Sequence, residues 1–175
     1  MEIKHLIIGG GAIDDTLANE LKDFPNQVWS TYGMTETLSH IALRRLNGTD
    51  ASDWYTPFEQ VSIRLSEEGT LIIHAPNLCA EELTTNDIAE INEEGKFRIL
   101  GRKDNTINSG GVKIQIEQVE SRLKKHLATP FLISAQKDAK FGEIVVLIYN
   151  KVGNEENIRR ICESELPTYW VPKAY

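Results

Sequence analysis

The spacing of apolar residues falls into three successive patterns along the chain. "IKHLIIGGG" at 3–11 is a short apolar run ending in glycines, the pattern of a buried strand entering a tight turn. Leu17 and Leu21 follow four residues apart, which predicts a helix running through Lys22 and capped by Asp14 or Asp15. "QVWSTYG" at 27–33 predicts a second strand. The order strand–helix–strand predicts a parallel pair joined by a crossover. The glycines at 9–11 and the bend at 32–36 are then expected at the carboxyl ends of neighbouring strands, where open α/β sheets bind ligands.

From residue 61 the rhythm shortens. "VSIRL", "TLIIHA", "DIAEI" and "FRILG" are separated by "SEEG" and "NEEG" turns and predict an antiparallel β region. A third pattern starts after "GRKDN" at 101–105. The pair Gly110–Gly111 leads into "VKIQIEQVESRLKKHL", where Ile116, Val119, Leu123 and Leu127 recur at helical spacing. "FLISAQ" and "EIVVLIYN" predict two apolar strands. A last helix is expected over Glu155–Leu166, with Ile158, Ile161 and Cys162 inward and Pro167 as its stop. The expected architecture is thus an α/β piece and an antiparallel β region, followed by a small α+β unit in the order β-α-β-β-α. "LPTYWVPKAY" reads as the start of a further strand, so a longer parent chain is expected.

Composition narrows the function classes. The chain has 175 residues, 41% hydrophobic and 26% charged, with a net charge of −7. That balance is ordinary for a globular protein and argues against a nucleic-acid or anionic-membrane partner. "LRRL" at 43–46 and "RLKKH" at 122–126 read as short solvated stretches rather than a basic patch. No apolar run approaches a membrane span, and no signal peptide is visible. Cys79 and Cys162 are far apart, without a CxxC, which predicts two structural thiols in a reduced, cytoplasmic protein.

The candidate chemistry is concentrated in "YGMTET" at 32–37. Tyr32 offers a flat face for a heterocycle, and Gly33 permits close approach to the backbone. Thr35 can donate to a phosphate oxygen. Glu36 would repel phosphate unless a divalent cation lies between them, and magnesium favours that mixture of carboxylate and phosphate oxygens. A nucleotide with Mg²⁺ accounts for all four groups; a polar turn with Glu36 in water is the alternative. Asp87 in "LTTNDIA" can accept from both hydroxyls of a ribose or serve as a turn residue. Arg102 can donate to a ribose or phosphate, or pair with a surface acid. The triple glycine is not a phosphate-binding P-loop, because no Gly-Lys-Ser/Thr follows.

Taken in order, "GGG…TYGMTET…TND…GRKDNTINSGGVKIQIEQVE" resembles the adenylate-forming acyl- and aryl-CoA synthetase superfamily along the whole chain, most specifically over Gly101–Glu120. The resemblance implies a nucleotide site in which Tyr32 stacks on adenine and Gly10 and Gly11 line the nucleotide and acyl pockets. Thr35 binds the α-phosphate, Glu36 works with Mg²⁺, Asp87 holds the ribose and Arg102 assists. It makes Asp104 a hinge and places Gly110 and Gly111 on the coenzyme A channel. It divides the chain into 1–103, the end of a large AMP-binding domain, and 104–175, a small mobile domain. The co-substrates implied are ATP and coenzyme A, with AMP as product and room for a homo-oligomer. "STYGMTETLSHIALRRLNG" is similar to the branch that activates o-succinylbenzoate for menaquinone synthesis, with Ser39 and His40 lining the aryl-acid pocket. Other acyl-, aryl- or amino-acid-activating enzymes remain open, as does a non-catalytic nucleotide-binding module.

The departures are specific. Leu83 and Asn86 stand where the family has an aromatic and a glycine, Ile116 where it has proline, and Asn108 where it often has lysine. The family's phosphate-binding loop and adenylation lysine are expected beyond Met1 and Tyr175, and the segment alone is expected to be inactive.

Overall fold

β1 (His5–Ile8) and β2 (Gln27–Gly33) pair in parallel, with Leu6 opposite Val28 and Ile8 opposite Ser30. Helix α1 (Asp15–Leu21) lies in the connection between them, as the order of patterns predicts. The computed structural model describes residues 3–13, 15–150 and 154–175. Asp14, one of the two candidate helix caps, lies outside the described residues.

β3 (His40–Arg45) runs antiparallel to β2, and β4 (Thr56–Pro57) extends the first sheet to the order β1-β2-β3-β4. This corrects the reading of "LRRL" as solvated surface. Ile41 and Ala42 are fully buried, and the Arg44 side chain is only 13% exposed. The guanidinium of Arg44 lies 5.2 Å from the Tyr55 ring centre and that of Arg45 lies 5.1 Å from Trp29. Two arginines hide well in a strand because their stems and planar heads pack on aromatic faces, while charge counting alone sends them to water.

Asn47, just past β3, is 2% exposed and ties the sheet's edge together. Its Oδ1 accepts from Val28 N and Arg45 Nε, both at 3.0 Å, and its Nδ2 donates to Phe24 O (3.0 Å) and Asn26 O (2.8 Å). Asn47→Ala removes all four bonds and leaves the buried Val28 N–H without this partner. It should cost about 1–3 kcal/mol, read as a lower urea midpoint with an unchanged slope.

The second sheet is antiparallel, in the order β5 (Ser62–Leu65), β6 (Thr70–His74), β7 (Leu83–Ile91) and β8 (Phe97–Arg102). Leu71, Ile73, Ala89 and Phe97 join Ile41, Ala42 and Tyr55 in one core. Backbone contacts divide the chain into two compact units, Met1–Ile99 and Leu100–Tyr175.

The second unit opens with a hairpin of β9 (Thr106–Ser109) and β10 (Val112–Gln115), followed by α2 (Ile116–Lys124), β11 (Phe131–Asp138), β12 (Gly142–Tyr149) and α3 (Glu155–Glu165). Its order is β-β-α-β-β-α, and the helix predicted from residue 112 begins only at 116. The alternation in "VKIQ" puts Ile114 inward beside Ile107, its partner across the hairpin. Gly110 (φ 59°) and Gly111 (φ 85°) supply the two positive φ values that a two-residue hairpin turn demands. Val119 and Leu123 of α2 and Ile158 and Cys162 of α3 meet β11 and β12 in the unit's core. Burial raises the Cys162 thiol and the neighbouring Tyr175 phenol above their ordinary ranges, so both stay neutral. The strand expected at "LPTYWVPKAY" is absent: 168–170 form a turn, and Ala174 makes a single parallel bridge to Val146. Pro167 and Pro172 remove two ladder donors from that stretch. No helix among the described residues is long and apolar enough to cross a membrane.

Candidate nucleotide site

Tyr32, at the carboxyl end of β2, is half-buried, and its ring is held by two others. Phe97 meets it edge-on with centroids 5.1 Å apart, and Tyr55 lies tilted at 5.9 Å. Its hydroxyl donates to Asp87 Oδ2 at 2.5 Å. Two residues 55 apart in sequence, singled out for different parts of a nucleotide, therefore touch.

The local geometry of β7 explains how Asp87 gets there. Thr70 pairs with Ile88 and Ile72 with Thr84, so β7 carries two extra residues in that interval. The bulge is tied by Asp87 N donating to the buried Thr85 Oγ1 at 3.1 Å. Bulges of this kind re-aim a side chain that a regular strand would point elsewhere.

After Gly33 the chain makes a 3₁₀ turn, Thr35–Thr37. The two threonines around Glu36 separate into different jobs. Thr37 is fully buried; its Oγ1 accepts from Met34 N at 3.1 Å and has Ser39 O at 2.7 Å and Met34 O at 3.0 Å for its own proton. Thr35 and Glu36 are exposed. Leu38 ends the turn at φ 59°, a left-handed conformation costly for leucine, with its side chain 81% exposed. Gly33 is needed by the chain itself: a Cβ there would lie 2.4 Å from Ser39 O.

Ser39 and His40 are exposed and bonded to each other, Oγ to Nδ1 at 3.1 Å, and the imidazole meets Phe58 edge-on at 5.6 Å. Beside them is a cleft of about 250 Å³ walled by Phe58, Val61 and Leu78, with Gln60 and Asn77 at its rim. Gly10 (φ 91°) and Gly11 present bare backbone beyond β1, with no atom within 4 Å of where a side chain would begin. Glu36 is the one carboxylate of the turn, and among the described residues no group of three or more acidic, His or Cys side chains could hold a metal ion. That donor set fits a magnesium ion held mostly by phosphate and water, and not a cation caged by protein.

Arg102, Asp104, Gly110 and Gly111 belong to the second unit. Arg102 Nη2 is 3.5 Å from Asp104 Oδ2, and both side chains are more than half exposed, so the pair contributes little to stability. Sequence reasoning missed Tyr55, Phe97, Thr85 and Thr37, which pack on or bond to Tyr32, Asp87 and the turn after Gly33. Only a hydrophobic pattern with a strand pair at Tyr55 and Phe97 could have signalled the first two.

No protein-family model matches the chain. It is 29% identical to a 2-succinylbenzoate–CoA ligase of Bacillus cereus over 98% of this chain and 42% of that protein. A crystal structure of an acyl-CoA synthetase (AMP-forming)/AMP-acid ligase II-like protein from Dyadobacter fermentans is 34% identical, with a TM-score of 0.59 over 97% of this chain and 51% of the other. The o-succinylbenzoate–CoA synthetase of Bacillus subtilis, bound to the acyl-adenylate OSB-AMP, has the same fold: TM-score 0.80 at 24% identity, over 99% and 42% of the two chains. The same enzyme with ATP and a magnesium ion gives 0.77 at 23%, over 98% and 42%. Along nearly its whole length the chain is similar to AMP-forming acyl-CoA synthetases. Its curated relatives include 2-succinylbenzoate–CoA ligases, of whose length it spans about two fifths.

Proposed function

We propose that this chain is part of an acid–thiol ligase that activates a carboxylic acid, o-succinylbenzoate, with ATP and passes it to coenzyme A. The observation that carries the reading is the Tyr32–Asp87 contact beside the exposed Thr35–Glu36 turn, all at the carboxyl end of β2. In the first step an acid oxygen attacks the α-phosphorus, pyrophosphate leaves, and an acyl-adenylate forms. In the second the coenzyme A sulfur attacks the carbonyl carbon and AMP leaves.

In this reading the Tyr32 ring stacks on adenine, Asp87 accepts from the ribose, and Thr35 donates to the α-phosphate. Gly10 and Gly11 lie flat against nucleotide and acid, and Arg102 assists at the ribose. Magnesium on Glu36 supplies charge neutralisation for the phosphates. Ser39 and His40 face the acid; a fatty chain laid over this mutually bonded pair would strip water from their remaining polar atoms, at about 1–3 kcal/mol each, whereas a second carboxylate can satisfy them. Residues 1–103 are the end of a large AMP-binding domain and 104–175 a small domain pivoting at Asp104, with Gly110 and Gly111 on the coenzyme A channel. The water-soluble co-substrates support a cytoplasmic setting.

The test is thioester formation by the full-length protein with o-succinylbenzoate, benzoate, acetate and palmitate. We expect o-succinylbenzoate to lead by at least tenfold, the ~1.4 kcal/mol of one satisfied polar pair. A preference for any other acid overturns the substrate, and absence of ATP–pyrophosphate exchange with all four overturns the ligase.

A further inference from the structure

Two ammonium groups of the second unit converge on one aromatic ring. Phe141 lies in the turn between β11 and β12, with Lys140 Nζ 5.1 Å and Lys173 Nζ 4.7 Å from its ring centre. Both lysines are exposed. Like charges gathered on one ring repel each other, and attraction to the ring offsets only part of that. The acids nearest in sequence are directed at the backbone instead. Asp138 Oδ1 accepts from Lys140 N at 2.8 Å and Phe141 N at 2.9 Å, and Glu143 Oε2 accepts from Asn108 N at 2.8 Å. Among the described residues neither ammonium forms an ion pair.

The same ring abuts the glycine hairpin. Gly110 N donates to Phe141 O at 2.8 Å, and a Cβ at Gly110 would lie 3.3 Å from Phe141 Cδ1. Gly111 has no atom within 4 Å of where a side chain would begin. A slender chain crossing the two glycines therefore meets bare backbone, then an apolar ring, then two unneutralised cations. That succession of surfaces matches a thiol arm that ends in a phosphorylated nucleotide.

We propose that Lys140 and Lys173 bind the phosphate groups at the nucleotide end of coenzyme A, with Phe141 holding both ammonium groups beside the Gly110–Gly111 turn. Phosphate oxygens accept from the two ammonium groups, and a polyanion between them removes their repulsion. The second unit then selects coenzyme A over thiols that lack the phosphates. This rests on the coenzyme A reading given above.

The experiment measures KM and kcat for coenzyme A and for pantetheine in thioester formation by the full-length protein, with the acid it activates best. The variants are Lys140→Ala, Lys173→Ala, their combination, and Lys140→Arg with Lys173→Arg. Thermal midpoints check folding. Each alanine change should raise KM for coenzyme A about fivefold, the upper worth of an exposed ion pair, and the two together about twenty-fivefold. The effect should fall on KM rather than kcat. Pantetheine has the thiol arm without the diphosphate or 3′-phosphate, so its KM should stay put and the wild-type preference for coenzyme A should collapse. The double arginine variant should keep most of that preference. If the double alanine variant retains the wild-type preference, or if KM rises by one factor for both thiols, the phosphate role is wrong while the ligase stands. The same holds if the wild type uses the two thiols equally well. If the wild type forms an acyl-adenylate and accepts neither thiol, the coenzyme A reading falls and this inference with it.

Discussion

Phe97→Ala should destabilise the first unit by about 3–5 kcal/mol, the range for emptying a buried aromatic position. Phe97 is fully buried and is among the largest side chains in the core. It stacks on Tyr55 at 5.5 Å and stands edge-on to Tyr32 at 5.1 Å. Its backbone also exchanges two hydrogen bonds with Tyr55, 2.7 and 3.0 Å long. Tyr55 cannot follow into the cavity, because its hydroxyl is held to buried Ser30 Oγ at 2.9 Å. The lost ring contacts add to the transfer cost. Amide protection should fall across β6, β7 and β8, and stay near wild type in α2 and β12, whose core is separate. A loss below ~1 kcal/mol would mean that the site repacks, and would count against a rigid aromatic support for Tyr32. Phe97→Leu keeps most of the volume and should cost less than half as much.

The same aromatic group shows where sequence reading succeeds and where it stops. β1, β2, α1 and the antiparallel strands were legible because each carries its own period. β2 begins and ends where "QVWSTYG" begins and ends. Asp87 and Tyr32 were legible only as candidates by residue type, a carboxylate and an aromatic in polar stretches that fold as β7 and β2. Their contact was not, since it depends on a two-residue bulge in β7 that leaves no mark in the local pattern. "TET" shows the limit in miniature. Thr35 and Thr37 are identical in type, yet one faces water and the other closes the turn from inside. "LRRL" failed for the opposite reason: charge dominated the reading, and the partners that hide it, Trp29 and Tyr55, lie elsewhere in the chain. At "SGGVKIQ" two periods overlap, and the hairpin turn decided in favour of the strand.

Gly33→Ala should be the most damaging single substitution in the candidate site. A Cβ at Gly33 would meet Ser39 O at 2.4 Å and His40 Cα at 2.7 Å. Both are backbone atoms, so no side-chain rotation relieves the overlap. Moving them means moving the start of β3, which pairs Gly33 with His40 across an irregular register. It also means breaking the turn closed by Ser39 N to Thr37 O at 2.6 Å and by Thr37 Oγ1. Overpacking against yielding neighbours costs about 1–3 kcal/mol; a ladder that has to shift lies at or above the top of that range. For a unit of this size each kcal/mol lowers the melting midpoint by roughly 4–8 °C, so a fall of at least ~12 °C is expected. Thr35 and Glu36 would move with the turn, and ATP binding by the full-length protein should be lost even well below the new midpoint. Gly9→Ala is the control. There the nearest atom is Thr31 Oγ1 at 2.5 Å, and a side-chain hydroxyl can rotate away. If Gly33→Ala melts and binds ATP like Gly9→Ala, the chain does not make the close approach at Ser39–His40, and the turn geometry on which the Thr35–Glu36 placement depends is wrong.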